Sequence, residues 1–309
     1  MSIEILQTHK LLESCEAALA AQFTVHKLHE AADADALLAK VGPHVRAIAG
    51  GNVGPELMDR LPALEIIANF GVGYDSIDIA AAKQRKIRVT NTPNVLNDAV
   101  AELTIGMMVA LARRIPQADR FVREGKWVSL KYPLLTELNG KTVGILGLGR
   151  IGKEIALRAQ AMKMRVVYHG RRRQADEPYQ FYDRLIDMAR ASDWLVIIAP
   201  GGKGTDGIVS RDVLEALGPE GFLVNVARGT LIDEPAMVEM LQNGTLGGAA
   251  LDVFEQEPQV PEALFALDNV VLSPHQGSAT HQTRDKMGRM LADNLSAHFA
   301  GEPLLSPVV

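Results

Sequence analysis

Residues 141–152 read Lys141-Thr-Val-Gly-Ile-Leu-Gly-Leu-Gly-Arg-Ile-Gly152, and their reading decides the fold. The β-suited residues Thr142, Val143, Ile145 and Leu146 run into Gly147-x-Gly149-x-x-Gly152, and a helix-forming run follows from Lys153. Strand, glycine turn and helix in that order are the setting in which GxGxxG binds a dinucleotide. Gly147 allows the tight turn, Gly149 lets backbone approach a pyrophosphate, and Gly152 lets the helix pack closely on the strand. The helix N-terminus adds unpaired N–H groups and the positive end of its dipole. Without its neighbours GxGxxG fits a glycine-rich turn of any α/β protein; the flanking strand and helix make it specific.

On the N-terminal side of this stretch, residues 3–7, 23–27, 46–49, 64–69 and 87–90 read as short strands. Helical patterns cover 11–21 and 34–41, giving a βαβ rhythm. Asn97 or Asp98 is placed to cap a long helix through 99–113, which Pro116 ends, and a second helical run follows to about 123. Residues 126–138 are irregular. After the fingerprint, strand and helix alternate again through 165–168, 185–190, 194–199, 210–217, 222–225, 234–242, 248–251 and 270–272, before a final helix at 283–299. Such alternation implies mostly parallel, doubly wound α/β sheets. A nucleotide unit opening 140 residues into the chain requires a separate domain before it.

Bulk properties exclude several classes. The chain has 309 residues, 47% of them hydrophobic and 22% charged, enough for about two ordinary cores. A net charge of −5 argues against a nucleic-acid partner, which would favour a basic excess. Cys15 is the one cysteine, so neither an intrachain disulfide nor a thiolate metal site is expected, and no metal is assigned. The start Met-Ser-Ile-Glu-Ile lacks the regions of a signal peptide, and no apolar run approaches the ~20 residues that span a membrane. The expectation is a cytoplasmic protein without a membrane partner.

Four ordered motifs together resemble the D-isomer-specific 2-hydroxyacid dehydrogenases. They are Asn69-Phe-Gly-Val-Gly-Tyr-Asp75, the fingerprint, Asn225-Val-Ala-Arg-Gly-Thr-Leu-Ile-Asp-Glu234, and Leu251-Asp-Val-Phe-Glu-Gln-Glu-Pro258 followed by Ser273-Pro-His-Gln-Gly-Ser278. They span nearly the whole chain, which looks most like glyoxylate/hydroxypyruvate reductases and hydroxyphenylpyruvate reductases. The resemblance implies a Rossmann cofactor domain (98–286) inserted into a flavodoxin-like substrate domain (1–97 and 287–309), with a homodimer as the expected assembly. It also implies an active-site cleft between domains.

Reducing a 2-keto acid needs a hydride donor, a proton for the carbonyl oxygen and a grip on the carboxylate. The cofactor supplies the hydride. His275, set in a strand-end turn by Pro274 and Gly277-Ser278, titrates near neutrality and suits the proton. The resemblance makes it the general acid in reduction and Glu257 its carboxylate partner; nearby Glu255 reads as solvated. Arg228 follows a buried strand in a glycine-containing turn, where a guanidinium can hold a carboxylate through two parallel hydrogen bonds. By resemblance that is its role, with backbone N–H donors from Val72 and Gly73.

An NAD site places an acid about 20 residues past the fingerprint to bind the ribose 2′-hydroxyl. Here the second strand ends in Gly170-Arg171-Arg172-Arg173, with no acid to repel a 2′-phosphate. NADPH is therefore expected over NADH, with NAD possible, and with Arg171 and either Arg172 or Arg173 as ligands. Further cofactor contacts implied by the resemblance are Gly147, Leu148, Gly149, Arg150, Ile151, Gly170, Pro200, Thr205, Val226, Ala227, Asp252 and Gly277.

The chain departs from the family pattern at Asn97-Asp98, at Gln276 and in the glycine-rich loop 200–205. Trp127, Tyr132 and Leu134 lie in a segment that reaches the partner's active site in some relatives. The expected function is NADPH-dependent reduction of small 2-keto acids, glyoxylate and hydroxypyruvate, to D-2-hydroxy acids. Alternatives are a nucleotide-sensing, corepressor-like binding protein and, among enzymes, a hydroxyphenylpyruvate reductase or phosphoglycerate dehydrogenase. Formate dehydrogenases pair their histidine with glutamine, which Glu257 argues against.

Overall fold

The structure, a computed structural model, describes residues 2–202 and 204–309. Lys203, in the 200–205 loop, lies outside them. The chain forms two compact units, residues 1–96 with 278–309 and residues 97–277. Both are α/β, each built on a parallel sheet, as the alternation of strands and helices implies.

In the first unit the strands are β1 (Glu4–Gln7), β2 (Thr24–Lys27), β3 (Val45–Ala49), β4 (Ile66–Ala68) and β5 (Arg88–Thr90), in the order β2-β1-β3-β4-β5. All neighbouring strands run parallel. This is the flavodoxin-like order. Successive side chains of a strand point to opposite faces, and both faces here are covered. Leu6, Ile48, Ile67 and Val89 enter one apolar cluster, while Ile5, Ala47, Ala49, Ile66 and Ala68 enter another with Leu291 and Leu295. Those leucines belong to the helix His281–Ala300, which therefore lies wholly in this unit. The expected division at 286/287 would cut that helix; the units part at 277/278 instead.

The second unit holds β6 (Thr142–Leu146), β7 (Arg165–His169), β8 (Gln180–Phe181), β9 (Trp194–Ile197), β10 (Phe222–Asn225), β11 (Gly248–Leu251) and β12 (Val270–Leu272). Their order is β12-β11-β10-β9-β6-β7-β8, all parallel, so the direction of winding reverses between β6 and β9. Ligands of open α/β sheets bind beyond the carboxyl ends of strands at such a switch.

Two helix starts differ from expectation. The long helix spans Asn97–Ala112, so Asn97 and Asp98 lie inside it rather than capping it. Asp98 instead meets Arg158 at 2.7 Å. The helix after the fingerprint begins at Arg150, three residues before the run that announces it, with Gly149 as its N-cap. Gly152 is thus helical, a poor helix former kept by packing, because a Cβ there would strike the Gly147 carbonyl. Pro55–Asp59, Ile79–Gln84 and Gln180–Phe181 are elements too short to show a period in sequence.

Candidate active site

One row of paired residues crosses the second sheet: Leu272, Leu251, Asn225, Ile197, Leu146 and His169. Five inter-strand gaps at about 4.8 Å make this row roughly 24 Å long. Nearly every site residue expected in this unit lies just past it. His275 follows β12, Asp252 and Glu257 follow β11, Arg228 follows β10, Pro200 follows β9, Gly147–Gly149 follow β6 and Gly170–Arg173 follow β7.

His275 and Glu257 meet, with Nδ1 2.7 Å from Oε2. The other oxygen of Glu257 accepts the Phe254 N–H at 3.1 Å, which aims the carboxylate. Glu255 is exposed, as expected for a solvated residue. His275 has φ +48°, a left-handed conformation costing about 1–3 kcal/mol for a residue with a Cβ. Asp252 supplies the compensation. Its carbonyl accepts the His275 N–H at 2.8 Å. Asp252 is 1% exposed, and its carboxylate accepts from Ser273 Oγ (2.6 Å), Gln276 N (2.8 Å) and Gly277 N (2.9 Å). These bonds tie Asp252 and Gly277, two residues expected at the cofactor, to each other and to the His275 turn.

Arg228 is half-buried at the end of an Asn225-stapled turn. Asn225 Nδ2 donates to the Arg228 carbonyl at 2.8 Å, and Asn225 Oδ1 accepts the Ala227 N–H at 3.0 Å. Arg228 Nη1 donates to the Ala227 carbonyl at 2.6 Å. Gly229 seats this turn directly on the Phe254–Glu255 backbone, where a Cβ would collide. The arginine turn and the glutamate loop are thereby packed together. Buried Glu234 accepts the Glu255 N–H at 3.2 Å, and burial pushes its carboxyl above the ordinary range.

At the cofactor end, the structure fits the group the motif implies. Gly147 has φ +101°, and a Cβ there would come 2.9 Å from Ala199 Cα. Gly149 has open space around it, as close phosphate approach requires. Arg171, Arg172 and Arg173 are exposed after β7, and residues 169–174 contain no carboxylate. Leu148, Val226 and Ala227 are buried, Ile151 and Gly170 half-buried, and Arg150 and Pro200 exposed. Thr205 turns its hydroxyl into its own loop, donating to the Pro200 carbonyl at 2.8 Å.

Val72 and Gly73 lie in the first unit, in the turn after β4. Asn69 Nδ2 reaches the carbonyls of Gly71 (3.1 Å) and Gly73 (2.8 Å), and Asn91 Nδ2 that of Val72 (2.9 Å). In a planar trans peptide C=O and N–H are antiparallel, so anchoring the Gly71 and Val72 carbonyls turns the Val72 and Gly73 N–H groups the opposite way. Sequence reasoning missed Asn91, Ser273 and Gln174, whose roles are hydrogen bonds that no spacing reveals.

Residues 105–277 match the model of the D-isomer specific 2-hydroxyacid dehydrogenase NAD binding domain. A glyoxylate/hydroxypyruvate reductase A of Arabidopsis thaliana is 44% identical, over 100% of this chain and 99% of its own. A hydroxyphenylpyruvate reductase of Plectranthus scutellarioides is 47% identical, over 88% of each. The solved structure of an NADPH-dependent glyoxylate/hydroxypyruvate reductase from Sinorhizobium meliloti, in complex with NADP and malonate, superposes with a TM-score of 0.95. It is 44% identical, covering 100% of this chain and 97% of that one. With the motifs, the fold order and these likenesses in agreement, this chain belongs to the D-isomer-specific 2-hydroxyacid dehydrogenase family.

Proposed function

We propose that this chain reduces small 2-keto acids, glyoxylate and hydroxypyruvate foremost, to D-2-hydroxy acids with NADPH. The observation that carries the reading is the strand-end row, which puts an arginine, a carboxylate-bound histidine and a phosphate turn beyond the same sheet edge. In this reading 97–277 is the cofactor unit and the remainder the substrate unit.

NADPH, held by Gly147–Ile151 and by the arginines of 171–173, supplies the hydride when bound. The Arg228 guanidinium, a fork of donors, holds the substrate carboxylate and draws charge toward the carbonyl oxygen as it becomes an alkoxide. Val72 and Gly73 are the backbone donors proposed for the same carboxylate. Glu257 takes the proton side of His275 Nδ1, leaving Nε2 as the nitrogen that gives its proton to the carbonyl oxygen. After transfer the imidazole is neutral, with its remaining N–H still bound to Glu257.

The named relatives are reductases, which favours catalysis over the sensing alternative. The hydroxyphenylpyruvate reductase likeness keeps an aromatic keto acid as the second reading. A homodimer in the cytoplasm is part of the proposal. Trp127, Val128 and Leu134 are 70%, 93% and 100% exposed, an apolar segment suited to a second copy. Among the described residues no helix is long and apolar enough to cross a membrane.

The test is steady-state oxidation of NADPH and NADH with glyoxylate, hydroxypyruvate and hydroxyphenylpyruvate. Turnover with NADPH that disappears in both His275→Ala and Arg228→Ala supports the reading. No turnover with any small 2-keto acid defeats it, and equal efficiency with both cofactors defeats its cofactor half.

A further inference from the structure

The end of β7 and the loop after it are fastened to the fingerprint turn and its helix at three points. The His169 carbonyl accepts the Gly147 N–H at 2.9 Å. Lys153, in the helix after the turn, meets Glu177 at 2.7 Å. Between them lies Gln174, directly after the three arginines and half-buried where they are exposed. Its backbone N–H donates to the hydroxyl of fully buried Tyr168 at 2.7 Å. Its side-chain Nε2 donates to the carbonyl of Leu148 at 2.6 Å.

The last bond has a directional consequence. Leu148 and Gly149 share one planar peptide, in which C=O and N–H point opposite ways. Holding the Leu148 carbonyl toward Gln174 aims the Gly149 N–H away from it, at the open mouth of the helix where an anion binds. It also keeps a carbonyl dipole from turning toward that anion. The same side chain thus orients a phosphate-turn donor and pins the end of the arginine loop.

We propose that Gln174 is a positioning residue that locks Arg171–Arg173 onto the Gly147–Gly149 turn. The lock fixes the spacing between the pyrophosphate site and the 2′-phosphate site, and it makes NADPH selectivity depend on a residue that touches neither. This rests on the NADPH reading above.

The test measures dissociation constants of NADPH and NADH by cofactor fluorescence, in the parent and in Gln174→Leu, which keeps bulk and removes the donor. Losing one short hydrogen bond should weaken NADPH roughly threefold to tenfold, and NADH less, so selectivity falls. Gln174→Asn keeps the amide but cannot reach Leu148, and should give the same signature with melting temperature near the parent's. In an Arg171→Ala, Arg172→Ala, Arg173→Ala background, the Gln174→Leu effect on NADPH should shrink to the size seen with NADH. General local destabilisation would instead weaken both cofactors equally, and that outcome overturns the proposal, as does unchanged NADPH binding. If the triple variant loses selectivity while Gln174→Leu keeps it, only the lock is wrong. If the triple variant binds NADPH like the parent, the arginine reading itself falls and the lock with it.

Discussion

His275 Nδ1 and Glu257 Oε2 stand 2.7 Å apart, although 18 residues separate them in sequence. The carboxylate is held at its other oxygen by the Phe254 N–H, so it orients the imidazole rather than following it. Glu257→Gln keeps the shape and removes the charge that steadies the imidazolium. Its kcat for hydroxypyruvate should fall about 10²-fold, and that of His275→Ala about 10²–10⁴-fold, with NADPH binding nearly unchanged. A Glu257→Gln variant of full activity would remove the pair from the mechanism.

Arg228→Lys tests the fork. Lysine keeps the charge but offers no parallel pair of donors, so kcat/KM for glyoxylate should drop roughly 10²-fold. A loss confined to thermal stability would assign the guanidinium to its turn alone.

The arginine loop is tested by Arg171→Ala. KM for NADPH should rise about tenfold while KM for NADH stays put, since only the cofactor with a 2′-phosphate loses a charge-assisted bond. Added salt should narrow the gap, because the loop is exposed and its charges are screened.

Cys15 should be inert. Burial, then the charges of Glu16 and Asp285, push its thiol up to about 11, and it is 4% exposed against Gly288. The thiolate is the reactive form. A disulfide reagent at pH 8 should therefore label it only in denaturant, and rapid labelling of the native chain would contradict this packing.

Glu16 gives an acid limb to stability. Burial would raise its carboxyl, but hydrogen bonds from Lys27, Gln7 and the Leu11 N–H overcome that and bring it down to about 2 from 4.5. A folded value below the unfolded one stabilises above pH 4.5, and the contribution disappears as pH falls through about 2. Glu16→Gln should melt below the parent at pH 7 and converge with it near pH 2. Parallel melting curves across that range would show the network contributes nothing.

Every strand but Gln180–Phe181 was legible in sequence, most of them because parallel strands buried on both faces read as short apolar runs. Val45–Ala49 and Gly248–Leu251 are of this kind. Pro55–Asp59 was not, being shorter than two helical turns. The capping of the long helix was misread because Asn97 and Asp98 suit an N-cap by residue type, while their use depends on what lies beside them. For Asp98 that is Arg158, 60 residues away.

Sequence by itself marked the phosphate turn and the arginine loop, because glycine spacing and charge carry their own physical meaning beside a strand end, while Arg228, Glu257 and His275 were pointed to by the resemblance to the family. Only the tertiary structure decided how they are held. The register of parallel strands brings motifs dozens of residues apart to one edge. The left-handed backbone of His275, whose N–H donates to the Asp252 carbonyl, sets where the imidazole points. Gln174 had no motif to announce it, since its importance lies in a hydrogen bond to Leu148 that exists only once β6 and β7 are side by side.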